Sequence, residues 1–129
     1  MFTKNSKGRI RGVKLYKISN VFNQQAIITL NSGRITTNQI ESARRVISKA
    51  VKKIGTYRIH VKPSVSVSKK PAEVRMGKGK GAIDHYISRV KAGQLLFTLQ
   101  GISNHLAYST LLKASRKLPL KVKIIENLL

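Results

Sequence analysis

The sequence predicts an α+β fold in one domain: two helices packed on a mixed, mainly antiparallel sheet, with a basic N-terminal arm and a Gly/Lys loop. Three observations lead there. The chain has 129 residues, the length of one domain. Two stretches place apolar residues at helical spacing, and several others alternate with a period of two. The hydrophobic residues, 41% of the total, are spread along the chain and suffice for a core, unlike those of a disordered basic tail.

Residues 1–20 hold Lys4, Lys7, Arg9, Arg11, Lys14 and Lys17, no acid, and Gly8 and Gly12 between them, which reads as a flexible arm. Its composition also suits a mitochondrial presequence. The clearest helix lies within 35–55. Thr36 and Gln39 form a capping box, Ile35 and Ile40 a hydrophobic staple, and Gly55 marks the stop. Ile40, Ala43, Ile47, Ala50 and Ile54 share one face, and Arg45, Lys49 and Lys52 share the opposite one. A basic face is usually only solvated; here Glu41 alone offsets it, which favours an anionic partner.

From Thr56 to Lys62, Tyr57, Ile59 and Val61 alternate with Arg58, His60 and Lys62, a half-buried strand ended by Pro63. Ser64 to Ser68 alternates again through Val65 and Val67. Residues 83–90 and 94–100 flank Lys91-Ala92-Gly93, a connection that suits a hairpin, so these two strands are expected to be antiparallel neighbours. Ser103 or Asn104 then caps a second helix with Ala107, Leu111, Ala114 and Leu118 on one face, stopped by Pro119. The run Leu120 to Ile124 alternates apolar with basic and reads as a last strand.

Charge narrows the function. With 26 Lys+Arg against 4 Asp+Glu the net charge is +22. Spread over a sphere of radius roughly 16 Å in salt, it carries a self-repulsion on the order of 20 kcal/mol. A domain's folding stability is about 5–15 kcal/mol. The unfolded chain shares part of this repulsion, yet the comparison still calls for a polyanionic partner, nucleic acid first. Cysteine is absent, which excludes disulfides, thiol catalysis and Cys-bound zinc. No apolar run is long enough to span a bilayer, and no membrane partner is expected.

Catalysis has little to work with. Glu41, Glu73, Asp84 and Glu126 are scattered, and His60, His85 and His105 lack metal-site spacing, so no enzyme activity, metal or cofactor is expected. The segment 69–82 is the most distinctive. Gly77, Gly79 and Gly81 alternate with Lys78 and Lys80, which lets the backbone approach a phosphate while two ammonium groups project. Its spacing fits neither a P-loop nor a dinucleotide fingerprint. Judged alone it is a mobile loop without a partner, or a finger that orders on RNA with Arg75 gripping phosphate at its root. Only 5% of residues are aromatic, which argues against base stacking and leaves backbone and shape recognition.

Four blocks now carry a pattern: Lys7-Gly-Arg-Ile-Arg-Gly12; Gly33-Arg-Ile-Thr36 with Gln39-Ile-Glu-Ser-Ala-Arg-Arg45; Lys70-Pro with Val74-Arg-Met-Gly-Lys-Gly-Lys-Gly81; and Lys117-Leu-Pro119 with Lys121. Together they resemble the bacterial-type large-subunit ribosomal protein sixteen family over nearly the whole chain. The glycine- and phenylalanine-containing family pattern between Val13 and Ser32 is largely missing. The resemblance implies an alpha/beta-hammerhead-like fold bound to large-subunit rRNA, beside neighbouring ribosomal proteins, and helping to shape the site that accepts aminoacyl-tRNA. It implies RNA contacts by Lys7, Arg9, Arg11, Arg44, Arg45, Lys49, Lys70, Arg75, Lys78 and Lys80. Met76, Gly77, Lys78, Gly79, Lys80 and Gly81 would lie nearest the tRNA, and the peptide-bond chemistry would belong to RNA.

The competing reading is a free-standing basic nucleic-acid-binding protein outside the ribosome. Because the match begins at Phe2, no removable presequence is expected. Fourteen isoleucines with abundant Lys and Asn suggest an AT-rich genome. The expected location is therefore an organelle-encoded mitochondrial ribosome, with plastid and bacterial cytoplasm as alternatives.

Overall fold

The computed structural model describes residues 10, 12–13, 24–52, 54–69, 77 and 79–126. The first element is a strand that alternation did not reveal, β1 (Gln24–Thr29), all six residues of which are buried. It is followed by β2 (Gly33–Thr36) and α1 (Thr37–Val51). Then come β3 (Thr56–Ile59), β4 (Val65–Lys69), β5 (Ala82–Val90) and β6 (Leu95–Gln100). The chain closes with α2 (Asn104–Ser115) and β7 (Val122–Glu126).

The α+β class holds, but the strands form two sheets rather than one. A four-stranded sheet runs β3-β6-β1-β7 and a three-stranded sheet runs β2-β5-β4, with every ladder antiparallel. The expected pairing of 83–90 with 94–100 is therefore overturned: β5 pairs with β2 and β4, and β6 with β1 and β3. Lys91-Ala92-Gly93 is a corner between sheets. Thr29 pins it, its Oγ1 donating to the Lys91 carbonyl at 2.8 Å while its own carbonyl accepts from Gly93 N–H at 2.8 Å.

One row of apolar residues crosses the larger sheet in register: Ile59 opposite Phe97, Phe97 opposite Ile27, Ile27 opposite Ile124. Both helices pack on this sheet and on each other. Ile40, Ala43, Ile47 and Val51 of α1 meet Ala107, Leu111 and Ala114 of α2 and Leu118 beyond it in one buried core. Burying the isoleucine, valine and leucine side chains among them is worth about 1.5–3 kcal/mol each.

The capping box of α1 is present, with Gln39 N–H donating to Thr36 Oγ1 at 3.3 Å and Thr36 N–H donating to Gln39 Oε1 at 2.9 Å. The expected stop is displaced. Helix α1 ends at Val51, and the left-handed residue is Lys52, with φ 48°. Ile54 therefore leaves the packing face and is 68% exposed, and Val51 takes the buried position instead. Gly55 serves a close approach rather than a cap: a Cβ there would stand 2.5 Å from the Gln100 carbonyl oxygen. In β4 the expected burial is inverted, Ser66 being buried while Val65 and Val67 are half-buried.

Helix α2 is capped by Ser103, whose side chain accepts from Leu106 N–H. It ends at Ser115, short of Pro119, and β7 begins two residues later than the alternation at Leu120 suggested.

Candidate nucleic-acid interface

Two clusters of cations are positioned by the fold. The first rests on the small sheet. Antiparallel register sets Arg34 of β2 directly opposite Arg89 of β5. A cavity of about 270 Å³ is lined by Arg34, Lys80, Val65, Ser66 and Ser68 among others. Lys69 closes β4 and Ala82 opens β5, so the Gly/Lys segment leaves and rejoins the fold at this sheet. Gly77 and Gly79 have φ of 97° and 83° with open space where a Cβ would stand, a backbone that non-glycine residues adopt only at a cost. Of the expected contact residues here, Lys80 is exposed and lines the same cavity as Arg34. Lys7, Arg9, Arg11, Lys70, Arg75, Met76 and Lys78 lie outside the described residues.

The second cluster is on the helices. Arg44 is half-buried and held by Glu41, with Nη1 also donating to the Tyr57 hydroxyl at 3.3 Å. Its hydrogen bonds to Glu41, then to Tyr57, push the guanidinium further into its charged form. Glu41 in turn is lowered chiefly by the hydrogen bond from Arg44. Arg45 makes only a 3.4 Å contact with Glu41 and is 76% exposed. Lys49 is exposed one turn on.

Lys113 and Arg116 had not been singled out from the sequence, and Lys117 only as part of the Lys117-Leu-Pro119 block. They line a groove of about 600 Å³ between α1 and α2 together with Lys49 and Lys52. Lys113 lies in the last turn of α2, and Arg116 and Lys117 follow its end at Ser115, so the signal that would have found them is a run of three cations within five residues at a helix C-terminus. The first cluster is built on the small sheet and the second on the helices.

Two of the histidines have side-chain partners. His60 Nε2 shares a hydrogen bond with Thr98 Oγ1 at 3.1 Å, and burial followed by the nearby Arg58 charge lowers its pKa. His85 Nδ1 lies 2.8 Å from Asp84 Oδ2. Among the described residues no group of three or more His, Cys, Asp or Glu could hold a metal ion. No helix among them is long and apolar enough to cross a membrane. The cations gather at rims and grooves, an arrangement suited to holding a polyanion.

Known proteins point the same way. The chain is 45% identical over 127 residues to the large ribosomal subunit protein uL16 of Sphingopyxis alaskensis, covering 98% of this chain and 89% of the relative. It is 42% identical to the uL16 of Afipia carboxidovorans, covering 98% and 93%. The same identity and coverage hold for the uL16 of Orientia tsutsugamushi. These relatives are named as ribosomal proteins of bacteria, not as enzymes. The family model described as ribosomal protein L16p/L10e matches residues 1–125, and the chain belongs to that family.

Proposed function

We propose that this chain is a structural, RNA-binding constituent of the large ribosomal subunit whose arm and Gly/Lys loop help to shape the site that accepts aminoacyl-tRNA. The observation that carries the first part is the family match over residues 1–125, joined to a net charge of +22. Its partners are large-subunit rRNA and neighbouring ribosomal proteins, and tRNA at the acceptor site.

The rRNA contacts are Lys7, Arg9 and Arg11 of the arm, Arg44, Arg45 and Lys49 of α1, and Lys70, Arg75, Lys78 and Lys80 of the loop. Residues 76–81 lie nearest the tRNA. Alternating glycines support this: they let the loop backbone come close to phosphate, where a Cβ would hold it off. Each lysine contributes a point charge, and each arginine a fork matched to two phosphate oxygens.

The ribosome in question is an organelle-encoded mitochondrial one of bacterial type. An isoleucine-, lysine- and asparagine-rich composition supports that assignment, whereas the bacterial relatives fit the alternative of a bacterial cytoplasm. A reading frame found in a nuclear genome behind an upstream presequence would overturn it.

Sedimentation of tagged protein through a sucrose gradient tests the function. Co-migration with the large subunit is expected, and recovery only with DNA or free RNA would reject the assignment in favour of a free-standing binder. For the tRNA contact, a photoreactive group at Lys78 should crosslink to acceptor-site tRNA in intact ribosomes. Crosslinks to rRNA alone would restrict the loop to a scaffold role.

A further inference from the structure

The groove between α1 and α2 is lined by five cations. Lys49 and Lys52 stand on one wall and Lys113, Arg116 and Lys117 on the other, all five exposed. None of them forms an ion pair among the described residues. Helix α2 carries no acid at all, and the one acid of α1, Glu41, is engaged with Arg44 and Arg45.

Helix geometry accounts for part of this charge. Lys49 and Lys113 sit in the last turns of their helices, where a cation complements the macrodipole. Lys52, Arg116 and Lys117 lie past the helix ends, and nothing described balances them. The groove floor adds Val46, Ala50 and Leu106 with the hydroxyls of Ser109 and Thr110. Both hydroxyls donate to the Leu106 carbonyl, so the floor shows mainly carbon and oxygen lone pairs to an occupant. A ribose backbone meets both demands, with phosphate oxygens at the cationic rim and C–H and 2′-OH faces on the floor.

We propose that the α1–α2 groove is an additional RNA site that seats one strand of phosphate backbone, with Arg116 as its bidentate phosphate anchor and Lys49, Lys52, Lys113 and Lys117 as flanking point charges. The proposal rests on the ribosomal reading above and adds a contact surface separate from the arm and the Gly/Lys loop. An acidic protein segment is the alternative occupant. Five cations around one groove match the regular charge of a phosphate backbone, which a peptide carries only as an unbroken acidic run, and this favours RNA.

The test uses the full chain and a large-subunit rRNA transcript as probe. The variant K113Q/R116Q/K117Q keeps helix-compatible side chains and is compared with K62Q/K91Q/K123Q, which removes the same charge outside the groove. The groove variant should lower the log–log salt slope of binding by about 2, that is roughly 0.7–0.9 per lost phosphate contact, and more than the control does. In the free protein at low salt it should instead raise the melting temperature, because like charges have been removed. Ultraviolet crosslinking of the wild-type complex should mark residues 104–117.

An unchanged slope with wild-type rRNA binding retained would refute the groove site and leave the ribosomal reading standing. Salt-independent binding by the wild type would refute that reading itself. Competition by polyglutamate as effective as by an RNA of equal charge would make the groove an acidic-protein interface.

Discussion

Glu41 holds Arg44 at two points, accepting from Arg44 Nε at 2.9 Å and from Nη2 at 2.5 Å. The only carboxylate of α1 is thereby committed to the arginine nearest the sheet, and Arg45 and Lys49 are left facing solvent. Two adjacent arginines thus have different standing: Arg44 is a strut between α1 and Tyr57, whereas Arg45 is available to a partner.

This difference predicts separable variants. Arg45→Ala should reduce the log–log salt slope of rRNA binding by about 0.7–0.9 and leave the melting temperature nearly unchanged. Arg44→Ala should reduce the slope less and lower the melting temperature. Measuring both quantities on both proteins checks the assignment, and equal slopes would contradict it.

The same pair fixes the sign of an acid dependence. With its folded pKa lowered, Glu41 contributes stability that is complete above its unfolded value near 4.3 and fades as pH falls through the lower folded value. The difference in unfolding midpoint between wild type and Glu41→Gln should therefore shrink as pH is taken from about 5 to about 3. A constant difference would mean that the pair does not discriminate between ionised and neutral Glu41.

His60 behaves oppositely to a histidine that gains a carboxylate. Its neutral form is favoured by burial, so its NMR titration midpoint should lie below the ordinary value of about 6.5. As pH falls through 6.5 the unfolded chain takes up this proton first, and the contribution of His60 to stability declines until the folded value is passed. A midpoint above 6.5 would contradict the burial argument.

Two glycines separate a rigid neighbour from a yielding one. A Cβ at Gly55 would meet the Gln100 carbonyl oxygen at 2.5 Å, and backbone cannot move aside, so Gly55→Ala should destabilise by about 1–3 kcal/mol. At Gly33 the obstacle is the Leu120 side-chain terminus, which can rotate away. Gly33→Ala should cost less, as denaturant unfolding of the two variants would show.

Core and cap set the remaining scale. Ile47→Ala should cost about 2–5 kcal/mol through a cavity between the helices and the sheet. Thr36→Ala should cost about 1 kcal/mol through loss of the capping box. In both variants rRNA affinity should fall only under conditions where folding fails.

The helices were legible because their signals are local: Thr36 with Gln39, Ser103, and apolar residues at 3 and 4 spacing all act within one turn or two. Strand β1 was not, because Gln24, Gln25 and Thr29 interrupt its apolar run while being buried. Gln25, 1% exposed, donates through Nε2 to Asn104 Oδ1, a partner 79 residues away that no window contains. The connection 91–93 failed for a related reason. A short glycine-bearing link is compatible with a hairpin and with a corner, and only the pairing of Val90 with Gly33 decides for the corner. The basic face of α1 could be read from its sequence, and the groove with α2 could not, since it arises from the packing of two helices distant along the chain.

The central claim is that the cationic excess exists to hold RNA phosphates, and the salt dependence of wild-type binding to a large-subunit rRNA transcript tests it most directly. Five groove cations alone predict a log–log slope of magnitude about 4, with arm and loop adding to it. A slope near zero across the same range would contradict it.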